Sequence, residues 1–171
     1  MMRWIGPAAL FGACAALGHA LTLWLTPGVI MSRAMAAFTD RGIPLHDFVL
    51  SPRITPQTQT VVRPSPDLAY SICRFDMDVA PQGIRVRASG FEGMSSISVF
   101  DDQTVNIATV RGGPAPTDFV LTRTGESGIP GLPEIEATSS QGLILIRRLA
   151  PDQRDFARVQ TAARNDLCAP I

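Results

Sequence analysis

Leu68-Ala69-Tyr70-Ser71-Ile72-Cys73-Arg74-Phe75-Asp76-Met77-Asp78 reads as a β-strand because its residues divide by parity. Ala69, Ser71, Cys73, Phe75 and Met77 form one face, and Leu68, Tyr70, Ile72, Arg74 and Asp76 form the other. The odd-numbered face is the more apolar, so it is the face expected against a core. Further apolar or alternating runs follow at 84–88, 95–100, 104–110, 118–123, 135–137 and 142–149, each bounded by turn residues. Six or seven strands of this size predict a mainly β fold, an antiparallel β-sandwich or jelly-roll-like domain. Leu143-Ile144-Leu145-Ile146 is continuously aliphatic, which predicts a central strand covered on both faces, with Arg147-Arg148 where it emerges.

Downstream, Pro151 at a first helical position with Asp152 and Asp155 behind it opens a C-terminal helix running to about Asn165. Phe156, Val159 and Ala163 give it an apolar stripe, so it can cap the sheet and return Cys168 to the body of the domain. Upstream, residues 43–66 carry Pro44, Pro52, Pro56, Pro64 and Pro66, a spacing that keeps the backbone extended. Before this arm, Val29, Ile30, Met31, Ala34, Met35 and Phe38 fall on one face of an amphipathic helix ended by Gly42 and Pro44. That helix is free to lie on a membrane, pack on the domain or extend the segment before it. The chain therefore divides into an anchor at 1–28, a helix and extended arm at 29–60, and a β-sandwich with its C-terminal helix at 61–171.

The anchor rests on residues 4–32, which contain no Asp, Glu, Arg or Lys, His19 being the one ionisable imidazole inside the span. Pro7 to Thr26 as a helix rises about 30 Å, the thickness of the hydrocarbon layer. Trp4 and Trp24 lie near its two ends, where indole rings favour the interface, and Pro27-Gly28 is the expected stop. Small-x-small patterns at Gly18-His19-Ala20 and Ala34-Met35-Ala36 leave cleavage as a signal peptide open, although the apolar run is long for one. Arg3 on one side against Arg33 and Arg41 on the other leaves orientation almost tied by the positive-inside rule.

Three cysteines occur, Cys14 in the apolar segment, Cys73 in the alternating run and Cys168 near the end. Cys73 and Cys168 are the pair able to meet, as a disulfide in an exported domain or as separate thiols elsewhere. The 15 basic and 15 acidic side chains cancel, which argues against nucleic acid as a partner. Every basic residue is arginine, so chemistry needing a lysine amine is excluded. With His46 the one histidine outside the apolar segment, neither a metal site nor a serine triad is composed, and no cofactor is implied. His46 is expected to pack or hydrogen-bond where the arm docks. Asp101 and Asp102 are the densest acidic pair, between two strands where turn chemistry also places aspartate. Arg111-Gly112-Gly113-Pro114 has the composition of an anion-binding nest.

Val61-Val62-Arg63-Pro64-Ser65-Pro66-Asp67-Leu68-Ala69-Tyr70-Ser71, continuing to Phe75-Asp76, resembles a bacterial family known as domain of unknown function 1254. Gly142-Leu143-Ile144-Leu145-Ile146-Arg147-Arg148-Leu149 and Asp166-Leu167-Cys168-Ala169-Pro170 share the resemblance, which covers roughly residues 40–171 and is to the short, membrane-anchored alphaproteobacterial type. Longer members carry Asn-x-Asp-Thr-x-Tyr; this chain keeps Asp67 and Tyr70 but has Ser65 and Leu68 in that pattern. The resemblance implies a β-rich domain that in long members precedes a second one, domain of unknown function 1214. For a short member it implies a companion protein carrying that second domain. It brings no established catalytic residues. The sequence thus reads as a single-pass protein of the bacterial inner membrane with a periplasmic, non-enzymatic domain. The alternative is a subunit that binds or hydrolyses a small molecule or glycan, using Asp67, Tyr70, Asp101 and Asp102 in a cleft completed by a partner.

Overall fold

A computed structural model describes residues 4–58, 64–126 and 128–171; Arg3, Val61-Val62-Arg63 and the domain start at 61 lie outside the described residues. In chain order the elements are α1 (Ile5–Asp40), β1 (Val49–Leu50), β2 (Leu68–Asp76), β3 (Ile84–Ala88), β4 (Ser95–Phe100), β5 (Asn106–Arg111), β6 (Thr117–Arg123), β7 (Glu134–Ala137), β8 (Gln141–Leu149), α2 (Gln153–Ala163) and β9 (Leu167–Pro170). They build two sheets, one ordered β1-β2-β8-β4-β5 and one ordered β7-β6-β3-β9. The fold is mainly β, with a long apolar helix before the sheets and a short helix near the C-terminus.

Parity decides what lies between the sheets. Ala69, Ser71, Cys73, Phe75 and Met77 are all buried, as the odd face of β2 predicts. Cys73, Phe75 and Met77 join Ile97, Val99, Ile144 and Ile146 from the first sheet, and Ile84, Val86, Phe119 and Leu121 from the second, in one core. Each large apolar side chain removed from water here contributes about 1.5–3 kcal/mol. The Cys73 and Cys168 sulfurs are bonded across this core, joining β2 to β9 over a separation of 95 residues. At one end, Phe156 and Val159 of α2 bury against Ala69, Phe91 and Ala150. Asp152 is the N-cap of α2, its carboxylate accepting from the Asp155 N–H at 2.8 Å.

Four features depart from the sequence reading. Pro27-Gly28 does not stop the helix, because α1 continues for 36 residues with Pro27 inside it. The residues beyond Pro27 are held by the domain, Met31 being buried, and packing outweighs the local cost of proline. The actual stop is at Gly42, whose φ of 74° lets the Gly42 and Ile43 amides return to the carbonyls of Thr39 and Phe38. Secondly, β7 runs parallel to β6, so the second sheet is mixed rather than purely antiparallel. Their connection, 124–133, is long enough to return the chain to the end where β6 began. Thirdly, β8 is central, but its burial alternates along its length. Arg148 therefore points inward instead of marking the strand's exit. Fourthly, the proline-rich arm is stitched to the sheet: Leu45 bridges Arg74, β1 pairs with Ile72 and Ser71, and the Ser51 amide donates to the Tyr70 carbonyl.

Candidate functional site

The strand register separates the residues that the sequence offered as one cleft. Leu68, Leu149 and Met94 share a row of the first sheet, since Leu68 pairs with Leu149 and the Leu149 amide donates to the Met94 carbonyl. Asp67 stands one residue outside that row, whereas Asp101 lies seven residues along the chain from Met94. At roughly 3.3 Å per residue these eight steps put about 26 Å of strand between Asp67 and Asp101. Asp67 and Tyr70 therefore sit at one end of the sheet, and Asp101 and Asp102 at the other.

Each of the four has a local geometry of its own. The Tyr70 hydroxyl accepts from the Ser65 amide at 3.0 Å and holds the approach to β2. The Asp67 carbonyl accepts from the Ala150 amide, tying that approach to the end of β8, while its side chain faces solvent. The Asp101 carboxylate is buried and accepts from the amides of Gln103 and Val105 and from the Thr138 hydroxyl. Those bonds close the turn between β4 and β5. Asp102 is exposed, its amide bonded to Ser139 Oγ and its carboxylate to the Gln103 side chain. No group of three or more histidine, cysteine or acidic residues able to hold a metal occurs among the described residues. In the Gly112-Gly113 segment, the Gly112 amide donates to the Ser95 carbonyl, so it is not turned toward an anion.

Two arginines on different sheets pair with aspartates. Asp118 engages Arg85 on the outside of the second sheet at 2.7 Å and raises the guanidinium pKa above its ordinary value, first through the hydrogen bond and then through its charge. Arg148 lies on the first sheet, buried with Asp166, the two side chains 1% and 0% exposed. Both Arg148 terminal nitrogens reach the Asp166 carboxylate at 2.7 Å, Arg148 Nη2 also donates to the Ser89 carbonyl, and Asp166 accepts from the Ser89 amide. The sequence shows Arg148 and Asp166 only as two charges 18 positions apart, with nothing to mark them as partners.

A second polar junction is the seam where α1 meets the first sheet; the sequence left the helix free to pack there but did not mark Arg74 as the residue that holds it. Arg74 is 7% exposed with no carboxylate partner among the described residues; its guanidinium donates to the Met35 carbonyl and to the Thr39 hydroxyl in the last turns of α1. A guanidinium suits that position because the C-terminal carbonyls of a helix carry partial negative charge. Behind it, the arm reverses at His46, whose φ is 56°; His46 Nε2 lies 3.0 Å from the Asp76 amide and accepts from it. A cavity of about 280 Å³ lies between Met31 and Met35 of α1, Asp102 and Gln103 of the β4–β5 loop, and Gln141 and Gly142 of β8. Replacing Arg74 by Ala is expected to loosen these turns without unfolding the sandwich. Charge-assisted bonds of this kind contribute about 1.5–3 kcal/mol, so amide exchange over 35–41 should accelerate roughly tenfold or more. Unchanged exchange there would show that Arg74 does not hold the helix.

An apolar helix locked into the outside of a two-sheet β domain is thus the architecture, and residues 46–170 match the family described as protein of unknown function, DUF1254. The chain belongs to that family. Among solved structures, the chain is similar to the VPA0106 protein from Vibrio parahaemolyticus, with a TM-score of 0.64 and 14% identity over 85% of this chain and 35% of that one. It also matches an uncharacterised protein from Burkholderia cenocepacia, with a TM-score of 0.46 and 15% identity over 80% of this chain and 38% of that one. The chain therefore spans little more than a third of either. None of the curated proteins matches the sequence.

Proposed function

We propose that this protein is a retained membrane anchor and envelope-facing β domain in one rigid body, a non-enzymatic accessory subunit that works with a companion β-rich protein. The observation that carries this reading is the continuity of α1 from the apolar span into the Arg74 seam. A leader destined for removal has no need to be built into the domain. Cleavage after Ala36 would take away Met31 and Met35, which line the seam, whereas cleavage after Ala20 would spare the seam and divide the apolar span. A bridge between Cys73 and Cys168 suits an oxidising compartment, which favours the periplasmic side of a bacterial inner membrane. The separation of Asp67 and Tyr70 from Asp101 and Asp102 removes the motive for a shared catalytic cleft on this chain.

A companion carrying domain of unknown function 1214 is what the family resemblance implies for a short member. Extraction of the full-length protein from native membranes in mild detergent, followed by affinity recovery and mass spectrometry, tests it. The expected result is one β-rich companion in near-equal amount. Recovery of the chain alone would sink the accessory role and return attention to ligands of the isolated domain.

A further inference from the structure

The order in which α1 meets the strands tells which side of the domain faces the bilayer. Gly28 abuts Gln103 in the β4–β5 loop so closely that an added Cβ would stand 2.9 Å from Gln103 Nε2. Three residues on, Met31 shares the seam cavity with Gln141 and Gly142 at the start of β8. Farther along, Met35 and Thr39 reach Arg74 on β2. Across the sheet the strands run β5, β4, β8, β2, so α1 passes from the β5 side to the β2 side as it leaves its apolar span. β5 is the strand nearest that span.

Distances along the helix set the depth. Trp4 and Trp24 are separated by about 30 Å of helix, one hydrocarbon thickness, and Gly28 stands only about 6 Å beyond Trp24. The headgroup layer on each side is roughly 5–7 Å deep. The β4–β5 loop, level with Gly28, therefore reaches that layer. Val105, 54% exposed, shares an open hollow with Leu23, Trp24 and Leu25 of α1. Beyond it, β5 exposes Asn106, Thr109 and Arg111, side chains that hydrogen-bond and carry positive charge as a phosphate-rich layer requires. The outer edge of β5 has no strand beside it among the described residues, and at six residues it is longer than the other sheet edges, β1, β7 and β9. An edge of that length left open invites pairing with other chains unless something covers it.

We propose that the β4–β5 loop and the edge strand β5 rest on the lipid headgroup layer, Val105 entering it, so that the bilayer itself covers this edge. The inference rests on the reading of α1 as a retained anchor. Its chemistry is mixed: an apolar residue at the hydrocarbon boundary, then polar side chains and a wet layer that solvates the free backbone groups. A strand donated by a protein partner is the competing occupant.

The test uses full-length protein with Cys14→Ala and the Cys73–Cys168 bridge intact. Single labels are placed at Leu17→Cys, Val105→Cys, Thr109→Cys and Gln160→Cys, the last on α2 beside Leu50 of the opposite sheet edge. Each carries an environment-sensitive fluorophore in phosphatidylcholine vesicles with spin-labelled lipids, the quencher at the headgroup or deep in the acyl chain. Expected are deep quenching at 17, headgroup quenching at 105 and 109 with a blue shift at 105, and neither at 160. If 17 is quenched while 105 and 109 behave like 160, the domain stands off the membrane and the proposal is overturned. Shielding of 109 that appears only when the companion is added would give the edge to a protein and overturn it as well. Absence of quenching at 17 would instead show the anchor reading itself to be wrong, and the lipid contact would fall with it.

Discussion

Reduction of the Cys73–Cys168 bridge is expected to remove about 4–5 kcal/mol from the stability of the β domain, the chain-entropy value for a loop of this length. The separation of 95 residues takes in most of both sheets, so the bridge restrains almost the whole unfolded domain. For a domain near this size such a loss lowers the melting temperature by about 15 °C. Because Trp24 lies in α1 and Trp4 is its N-cap, both away from the sheets, the measurement must follow the strand signal in circular dichroism instead of indole emission. Cys168→Ala, which leaves no partner for Cys73, should reproduce the effect of reductant, and reductant should then add nothing further. If the reduced protein and Cys168→Ala both keep the midpoint of the oxidised protein, the two sulfurs are not joined and the argument for an oxidising compartment goes with them.

A loss of similar size is expected for Asp166→Asn. It leaves the shape at the site and an acceptor for the Ser89 amide, but it strands the Arg148 guanidinium, 1% exposed, without a counter-charge. Breaking one side of a buried pair costs about 3–5 kcal/mol because the remaining charge has neither water nor partner. Adding Arg148→Met removes that stranded charge, so the double variant should be more stable than Asp166→Asn alone. Denaturant midpoints for the three proteins give the comparison. A cost below about 1 kcal/mol for Asp166→Asn would mean that the pair behaves as a solvated surface bridge.

Strands were legible where burial on one face imposes parity. β3 and β4 begin and end where the alternation does, and the inward face of β2 follows from odd and even positions alone. β1 and β9 escaped because their hydrogen-bonding partners are distant and their own residues say little. Val49-Leu50 sits among prolines, and Leu167-Cys168-Ala169-Pro170 ends in a residue that cannot donate. Pro27 misled because intrinsic preference was weighed without the packing that holds the following turns. At the site level the motif residues were visible but their separation was not, since distance across a sheet depends on register. His46 docks the arm, in the place its isolation suggested. Arg74 and Arg148 gave no signal, because an arginine on a strand reads as solvent-facing until its partners are known.

The position of β9 has a consequence for timing. Residues 166–170 supply Asp166 to Arg148, Cys168 to Cys73 and a strand to the free side of β3. All three partners come earlier in the chain. A polypeptide emerging amino-terminus first must therefore carry a lone thiol, an uncompensated guanidinium and an open β3 edge until that short segment appears. The second sheet is therefore completed, the buried charge paired and the core thiol partnered, only when that segment joins them, so the last strand to be made is the one that closes the sandwich.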